Sequence, residues 1–103
     1  MKRLSTPTHR FPTQLGEDVL REIKSVMITY SQDGIKVLDK VGDAVTIDGN
    51  VFVTNLTQEE TKKFTEDRDV EMQIRILLNS GTSYPSNIMV TDCDRVLNDE
   101  VMV

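Results

Sequence analysis

The sequence predicts an all-β fold, an antiparallel β-sandwich of about seven short strands in one domain. Apolar and polar residues alternate with period two in several runs, and turn sequences containing glycine separate those runs. The length of 103 residues suits a single core. The domain is expected to span residues 1–103, with residues 1–7 and 98–103 as flexible or partner-bound tails.

The first element is predicted to be an edge strand over residues 8–15. Pro12 lies within it and cannot donate a ladder hydrogen bond, and prolines in sheets are confined to edges and bulges. The next segment, GEDVLREIK at residues 16–24, is equally compatible with a strand and with a helical turn.

Two hairpins are predicted next. SVMITYSQ and IKVLDKV flank Asp33-Gly34, a strong short signal for a hairpin, so these strands should pair antiparallel. AVTIDGNVFVTNL repeats the pattern around the turn residues 48–50.

The clearest strand is VEMQIRILL, residues 70–78. Apolar side chains alternate with Glu71, Gln73 and Arg75 over nine residues, so one face belongs to the core and the other to water. Ile74 is central in this strand and is predicted to be among the most buried residues.

A last strand is predicted over residues 84–94, after the turn sequence NSGT at residues 79–82. Pro85 and the run Asp92-Cys93-Asp94 put a ring and charge into it, where a smoother apolar alternation is expected. Its register is open, because two sets of side chains compete for the inner face. One set is Ile88 and Val90, and the other is Met89, Thr91 and Cys93.

One short helical connector is predicted near residues 57–63, within LTQEETKKF. Thr57 and Glu60 have the spacing of a capping box, in which each side chain bonds the other residue's backbone N–H. Leu56 and Phe64 are expected to anchor its two ends in the core. Immunoglobulin-like sandwiches carry such a crossing link between their fifth and sixth strands, so an immunoglobulin-like sandwich is predicted. An antibody-type domain is not, because the cysteine pair and the tryptophan are missing.

Composition excludes several classes of partner. Net charge is −5, and no cluster of Lys or Arg alternates with aromatics, so nucleic acid is not an expected partner. No apolar run has the length of a signal peptide or a membrane span, and no membrane association is expected. A single cysteine allows no intrachain disulfide.

No catalytic, cofactor or metal site is predicted. His9 and Cys93 could form a nucleophilic pair only if the first and last strands were neighbours, and the favoured interpretation is a terminal histidine and a buried, apolar cysteine. The acids of DCDRVLNDE lack the glycine and the alternation of a calcium loop, so this segment is interpreted as a solvated acidic tail. We therefore expect a protein that is not an enzyme.

Four segments carry a resemblance to a known family: THRF, IKSVMITYSQDGIKVLDK, DGNVFVTNLTQEETKKF and VEMQIRILLNSGTSYPSNIMVTDCDRVLNDEV. Over nearly its whole length the chain resembles small proteins encoded in tailed phages and prophages of Gram-positive (Firmicutes) gut bacteria. The resemblance implies a virion structural or assembly component of the tail or attachment apparatus, without catalytic residues. It also implies a protein made in the host cytoplasm without a signal peptide and located in the virion.

Function is therefore expected to lie in contacts with other virion proteins or like subunits. The tail carries apolar residues that a small isolated domain has little room to bury, and they are the candidate interaction residues. They are Val96, Leu97, Val101, Met102 and Val103. The alternative is a small module that binds carbohydrate or a cell surface, for which Tyr30, Tyr84 and three Phe are the available aromatics.

Overall fold

The computed structural model describes residues 1–98 and 100–103, and these residues form eight strands. Along the chain they are β1 (Thr8–Pro12), β2 (Ile23–Gln32), β3 (Ile35–Val41), β4 (Val45–Asp48), β5 (Val51–Asn55), β6 (Val70–Leu78), β7 (Ser83–Pro85) and β8 (Met89–Thr91). The smaller sheet has the order β1-β5-β4. The larger sheet has the order β3-β2-β6-β7, and β8 also pairs with β6. All strand pairs are antiparallel, so the predicted antiparallel sandwich is confirmed.

Short helical segments occur wherever the chain crosses from one sheet to the other. The described residues form three of them: α1 (Glu17–Arg21), a 3₁₀ turn (Gly42–Ala44) and α2 (Gln58–Lys62). They join β1 to β2, β3 to β4, and β5 to β6. The prediction of a single helical connector was therefore wrong in number. A chain that crosses the roughly 10 Å between packed sheets has no ladder partner there, and a helical turn satisfies its own backbone groups.

The core lies between the two sheets and joins the inner residues of both. Phe11, Phe52 and Val45 contribute from the smaller sheet, and the larger sheet contributes alternate residues of its two central strands. These are Val26, Ile28, Tyr30, Val70, Met72, Ile74 and Ile76. The prediction for Ile74 is confirmed, since only 5% of its surface is exposed.

Both predicted hairpins are confirmed, and their turns explain the register. Asp33 and Gly34 both have positive φ, at 52° and 76°, as a type I′ turn requires. Gly49 has φ of 60° at the first position of the β4–β5 turn, where a type II′ turn requires a positive value. Such turns match the right-handed twist of the strands and fix which residues face the core.

The sandwich has the strand order of an immunoglobulin domain that lacks its first strand, A. The smaller sheet β1-β5-β4 corresponds to strands B-E-D, and the larger sheet β3-β2-β6-β7 corresponds to C′-C-F-G. Here β2 lies between β3 and β6 in the larger sheet. Eight residue pairs join β2 to β6, from Ile23↔Leu78 to Ser31↔Glu71. This pairing forms the centre of the larger sheet.

The last strand is not continuous, which corrects the prediction of one strand over residues 84–94. Tyr84 pairs with Ile76 in β7, whereas Met89 pairs with Met72 in β8. An uninterrupted ladder would place residue 88 opposite Met72, so the pairing slips by one residue between the two strands. Ser86 lies at this slip, where its backbone N–H and side-chain oxygen bond the backbone of Ile74. The slip resolves the open register, because Met89, Thr91 and Cys93 turn inward while Ile88 and Val90 are exposed.

The predicted capping box is confirmed at the start of α2. The Glu60 backbone N–H donates to Thr57 Oγ1 at 3.1 Å, and the Thr57 N–H donates to Glu60 Oε1 at 2.9 Å. Leu56 and Phe64 are both buried at the ends of this link, as predicted. Glu60 Oε1 also accepts from Lys40 Nζ at 2.7 Å, so the cap is tied to β3.

Replacing Thr57 with alanine is expected to destabilise the domain by about 0.5–2 kcal/mol, because an orphan N–H of α2 loses its acceptor. Thr57→Ser is the matched control, since serine keeps the capping oxygen and should unfold close to the parent. Urea unfolding measures both free energies. Equal unfolding midpoints for Thr57→Ala and the parent would show that this cap contributes nothing.

Candidate interaction surface

The two ends of the chain meet beside the larger sheet. The Met1 amino group donates to the Asp92 carbonyl oxygen at 2.9 Å, and the Asp94 N–H donates to the Met1 carbonyl oxygen at 2.8 Å. The Arg3 N–H donates to the Asp94 carbonyl oxygen at 3.0 Å, which gives a short parallel bridge. Asp94 is therefore held on the body of the domain, and the tail starts after it.

Among the described residues, the tail returns to α2 at the side chain of Gln58. The Gln58 amide nitrogen donates to the Met102 carbonyl oxygen at 3.0 Å, and the Met102 N–H donates to Gln58 Oε1 at 2.9 Å. The two residues are 44 positions apart, so no local sequence pattern indicated this contact. Gln58 is thus a site residue that the sequence analysis missed.

A groove of about 590 Å³ lies between the tail and the start of the chain. Its lining combines basic, polar and apolar side chains from three separate segments. The lining residues are Lys2, Arg3, Leu4, Ser5, Gln58, Val96, Asn98, Glu100, Val101, Met102 and Val103. Four of the five candidate interaction residues line this groove, and Leu97 does not.

The candidate tail residues differ in exposure. Val96 and Val101 are half-buried against the domain. Leu97 is 100% exposed, Met102 is 79% exposed, and Val103 is fully exposed. Three apolar side chains of the tail therefore face water.

A second exposed apolar set lies on the last strand. Tyr84, Ile88 and Val90 are each more than half exposed. β7 and β8 both pair with β6 alone, so they form one edge of the larger sheet, and β1 forms one edge of the smaller sheet. The predicted edge position of the first strand is confirmed. Free edges of this kind can accept a strand from another chain.

The aromatic residues lie almost entirely inside the sandwich. Tyr30, Phe11, Phe52 and Phe64 are buried, and Tyr84 is the one aromatic that is exposed. Tyr84 borders a small apolar cleft of about 170 Å³ beside Ile76 and Pro85. A sugar-binding platform is usually built from several exposed aromatic rings, and this surface offers a single ring.

A partly buried hydrogen bond joins the two sheets. His9 Nδ1 on β1 lies 2.6 Å from the Tyr30 hydroxyl oxygen on β2. Burial lowers the pKa of His9 from its ordinary value of 6.5, and the nearby N-terminal amino charge lowers it further. Burial raises the pKa of Tyr30, and the carboxylate of Glu60 raises it further. Both groups are therefore neutral at pH 7.

Acidification is expected to destabilise the domain through His9. Because the folded pKa lies below 6.5, the unfolded chain binds more protons just below that pH, and stability falls as pH falls. The urea midpoint should drop between about pH 7 and about pH 5, the range in which histidine titrates. Asp39 and Glu60, whose carboxyl pKa values are lowered, lose their contributions only at lower pH.

His9→Gln is the control for this pH dependence, because an amide can still bond Tyr30 and does not titrate. The variant should lose much less stability than the parent over the same pH range. Identical pH profiles for the two proteins would contradict a role for His9.

The geometry separates His9 from Cys93. β1 pairs with β5 in the smaller sheet, whereas Cys93 follows β8 of the larger sheet, so the condition for a nucleophilic pair is not met. Only 2% of Cys93 is exposed, and burial raises the pKa of its thiol. These features match the interpretation of Cys93 as a small buried apolar side chain.

The acidic segment after β8 does not assemble ligands. Within residues 1–98 and 100–103, no three His, Cys, Asp or Glu side chains lie close enough together to hold a metal ion. Asp99, one of the acids weighed as a ligand, lies outside the described residues. No helix of the described part of the chain combines the length and apolar character needed to cross a membrane.

Comparisons with known proteins give little further information. No family model matches the sequence, and no curated protein matches it. Among solved structures, the chain is similar to the V domain of amphioxus IgVJ-C2, at 12% sequence identity over 93% of this chain and 97% of that one. The TM-score of this likeness is 0.36.

Proposed function

We propose that this chain is a non-enzymatic structural or assembly component of a phage or prophage virion, in the tail or attachment apparatus. It acts through contacts with other virion proteins or like subunits. The virion assignment is based on the resemblance of the sequence to small phage and prophage proteins. The observation that carries the contact role is the tail, whose Leu97, Met102 and Val103 are exposed to water.

The distribution of apolar side chains supports assembly over catalysis. Six of the nine exposed large apolar side chains of the described residues lie on the tail and on the edge formed by β7 and β8, and the other three, Ile35, Val41 and Ile47, are on β3 and β4. Contiguous exposed apolar surface marks interaction sites in small soluble domains. His9 and Tyr30, two of the groups whose pKa values are shifted, bond each other between the sheets.

Carbohydrate or cell-surface binding is the alternative, and the aromatic residues favour it less. Four of the five aromatic side chains are buried in the core. Tyr84 alone offers a ring to a sugar.

Co-purification with neighbouring gene products tests the proposal. The tagged full chain, expressed together with the genes that flank its own, should retain an identified virion protein. A chain that lacks residues 98–103 should retain much less. Val90→Lys, which changes the β8 edge and leaves the tail intact, is the matched control and should retain as much as the parent.

Retention of no neighbouring gene product by the full chain would overturn the proposed virion role. Equal retention by the truncated chain would exclude the tail as the contact, and loss in Val90→Lys would then identify the sheet edge.

A further inference from the structure

The groove recognises the main chain of its occupant. Gln58 offers one donor and one acceptor, and both bond the peptide groups of the same residue, Met102. This is the pattern by which one β-strand bonds another. The Met102 side chain is 79% exposed, so the contact is made by its main chain. Gln58 therefore acts as a receptor for an extended segment.

Gln32 makes the same kind of contact with a main chain, but in the buried interior of the domain. Gln32 Nε2 donates to the Thr65 carbonyl oxygen at 2.9 Å, and the Thr65 N–H donates to Gln32 Oε1 at 2.7 Å. Gln32 is buried, so breaking its contact would leave polar groups without water. Gln58 is only half-buried, and its groups and those of Met102 can bond water when the tail leaves. Of these two contacts, the one between Gln58 and the tail can therefore open and form again with another chain.

The groove and the tail are complementary in charge and polarity. Lys2 and Arg3 line the side contributed by the start of the chain, and Glu100 lies on the tail. Leu4 and Val101 also line the groove and add apolar surface to it. Every copy of the protein carries both halves of this pair.

The tail is long enough to reach another molecule. Asp94 is its last residue held on the body, and nine residues follow it. An extended segment of nine residues spans about 30 Å, at roughly 3.3–3.6 Å per residue. A second copy whose groove lies within that distance of Asp94 can therefore receive the tail.

We propose that the groove formed by Lys2–Ser5 and Gln58 binds the tail of a second copy of this chain, so that two copies exchange tails around a two-fold axis. The inference deepens the proposed function, since it names the groove and the partner for the same tail. Each exchanged tail keeps its two bonds to a Gln58. Leu97 and Met102, which face water in the single chain, lie at the junction between the two copies. Exchange of an identical element is a low-cost route to a symmetric dimer.

Mixing two variants tests the exchange. A chain lacking residues 100–103 keeps the groove and has no segment to donate. Gln58→Ala keeps the tail and has no receptor. Each variant alone should show the mass of one chain by light scattering, which is 11.7 kDa for the full-length chain, and their equimolar mixture should show the sum of the two masses. Glu59→Ala, an exposed neighbour on α2 without a bond to the tail, should behave as the parent.

The parent is expected to keep its tail in its own groove well below about 1 mM, the effective concentration that a short tether provides, and to dimerise as its concentration approaches and exceeds that value. Circular dichroism melts of both variants establish that each is folded before mixing. A mixture that keeps the single-chain mass where the parent is dimeric would overturn tail exchange, as would a parent that never dimerises.

The dimerisation test and the co-purification test can fail independently of each other. A monomeric parent that still retains a virion protein through its tail would refute exchange and leave the virion role standing. A parent that exchanges tails and retains no neighbouring gene product would support tail exchange and overturn the virion role.

Discussion

Replacing Phe64 with alanine is expected to destabilise the domain by about 3–5 kcal/mol, the usual effect of removing a buried phenyl ring. Phe64 is 1% exposed at the end of the link between β5 and β6. Its ring meets that of Tyr30 edge to face, with centroids 6.0 Å apart. Small domains have a total stability of about 5–15 kcal/mol, so the loss should be visible as a large shift in the urea midpoint.

Phe64→Leu is the matched control, because leucine keeps most of the apolar volume and loses the aromatic contact. It should destabilise less than the alanine variant. Unfolding of Phe64→Ala at the parental midpoint would show that the link is not anchored in the core by this side chain.

Replacing Ile74 with alanine is expected to cost about 2–5 kcal/mol through lost burial and a residual cavity. Ile74 is opposite Ile28 in the central pair of strands, and both side chains are buried. Its backbone also bonds Ser86, so a collapse of the cavity would disturb the slip between β7 and β8. Thermal and urea unfolding both measure the effect.

Arg75→Ala provides the comparison within the same strand. Arg75 is exposed on the outer face, where substitutions usually change stability by less than about 0.5 kcal/mol. If the two variants were equally destabilised, the register of β6 would be wrong, because a slip of one residue exchanges the two faces.

The strands could be predicted because their signals are local. In β6, alternation over nine residues sets the inner face without reference to any other part of the chain. The two hairpins depend on Asp33-Gly34 and Gly49, which make tight turns whatever lies beyond them. The capping box at Thr57 is likewise contained within four residues.

The crossing segments were harder to predict. α1 and α2 are each five residues long, below the length at which helix propensity alone stabilises a helix. Their formation depends on where the chain leaves one sheet for the other. Only α2 carried a cap signal in its sequence, whereas α1 remained one of two alternatives and the 3₁₀ turn was not predicted.

The last strand and the groove could not be derived from sequence, because both depend on distant partners. The slip between β7 and β8 is set by the bonds of Ser86 to Ile74, twelve residues away. Gln58 meets Met102 across 44 residues. The composition of the tail did indicate exposed apolar residues, but it gave no information about the receptor.

Hydrogen–deuterium exchange tests the central claim, that the tail and its groove form the contact surface, most directly. The full chain would be compared free in dilute solution and in its assembled form, whether a homodimer or a complex with a neighbouring gene product. The account predicts slower exchange on assembly in peptides covering residues 96–103, whose exposed Leu97 and Met102 become covered, with little change in β1. In the homodimer residue 58 should also change little, because an exchanged tail keeps its two bonds to Gln58. Slowing confined to β1 or to β7 and β8, with the tail unchanged, would contradict it.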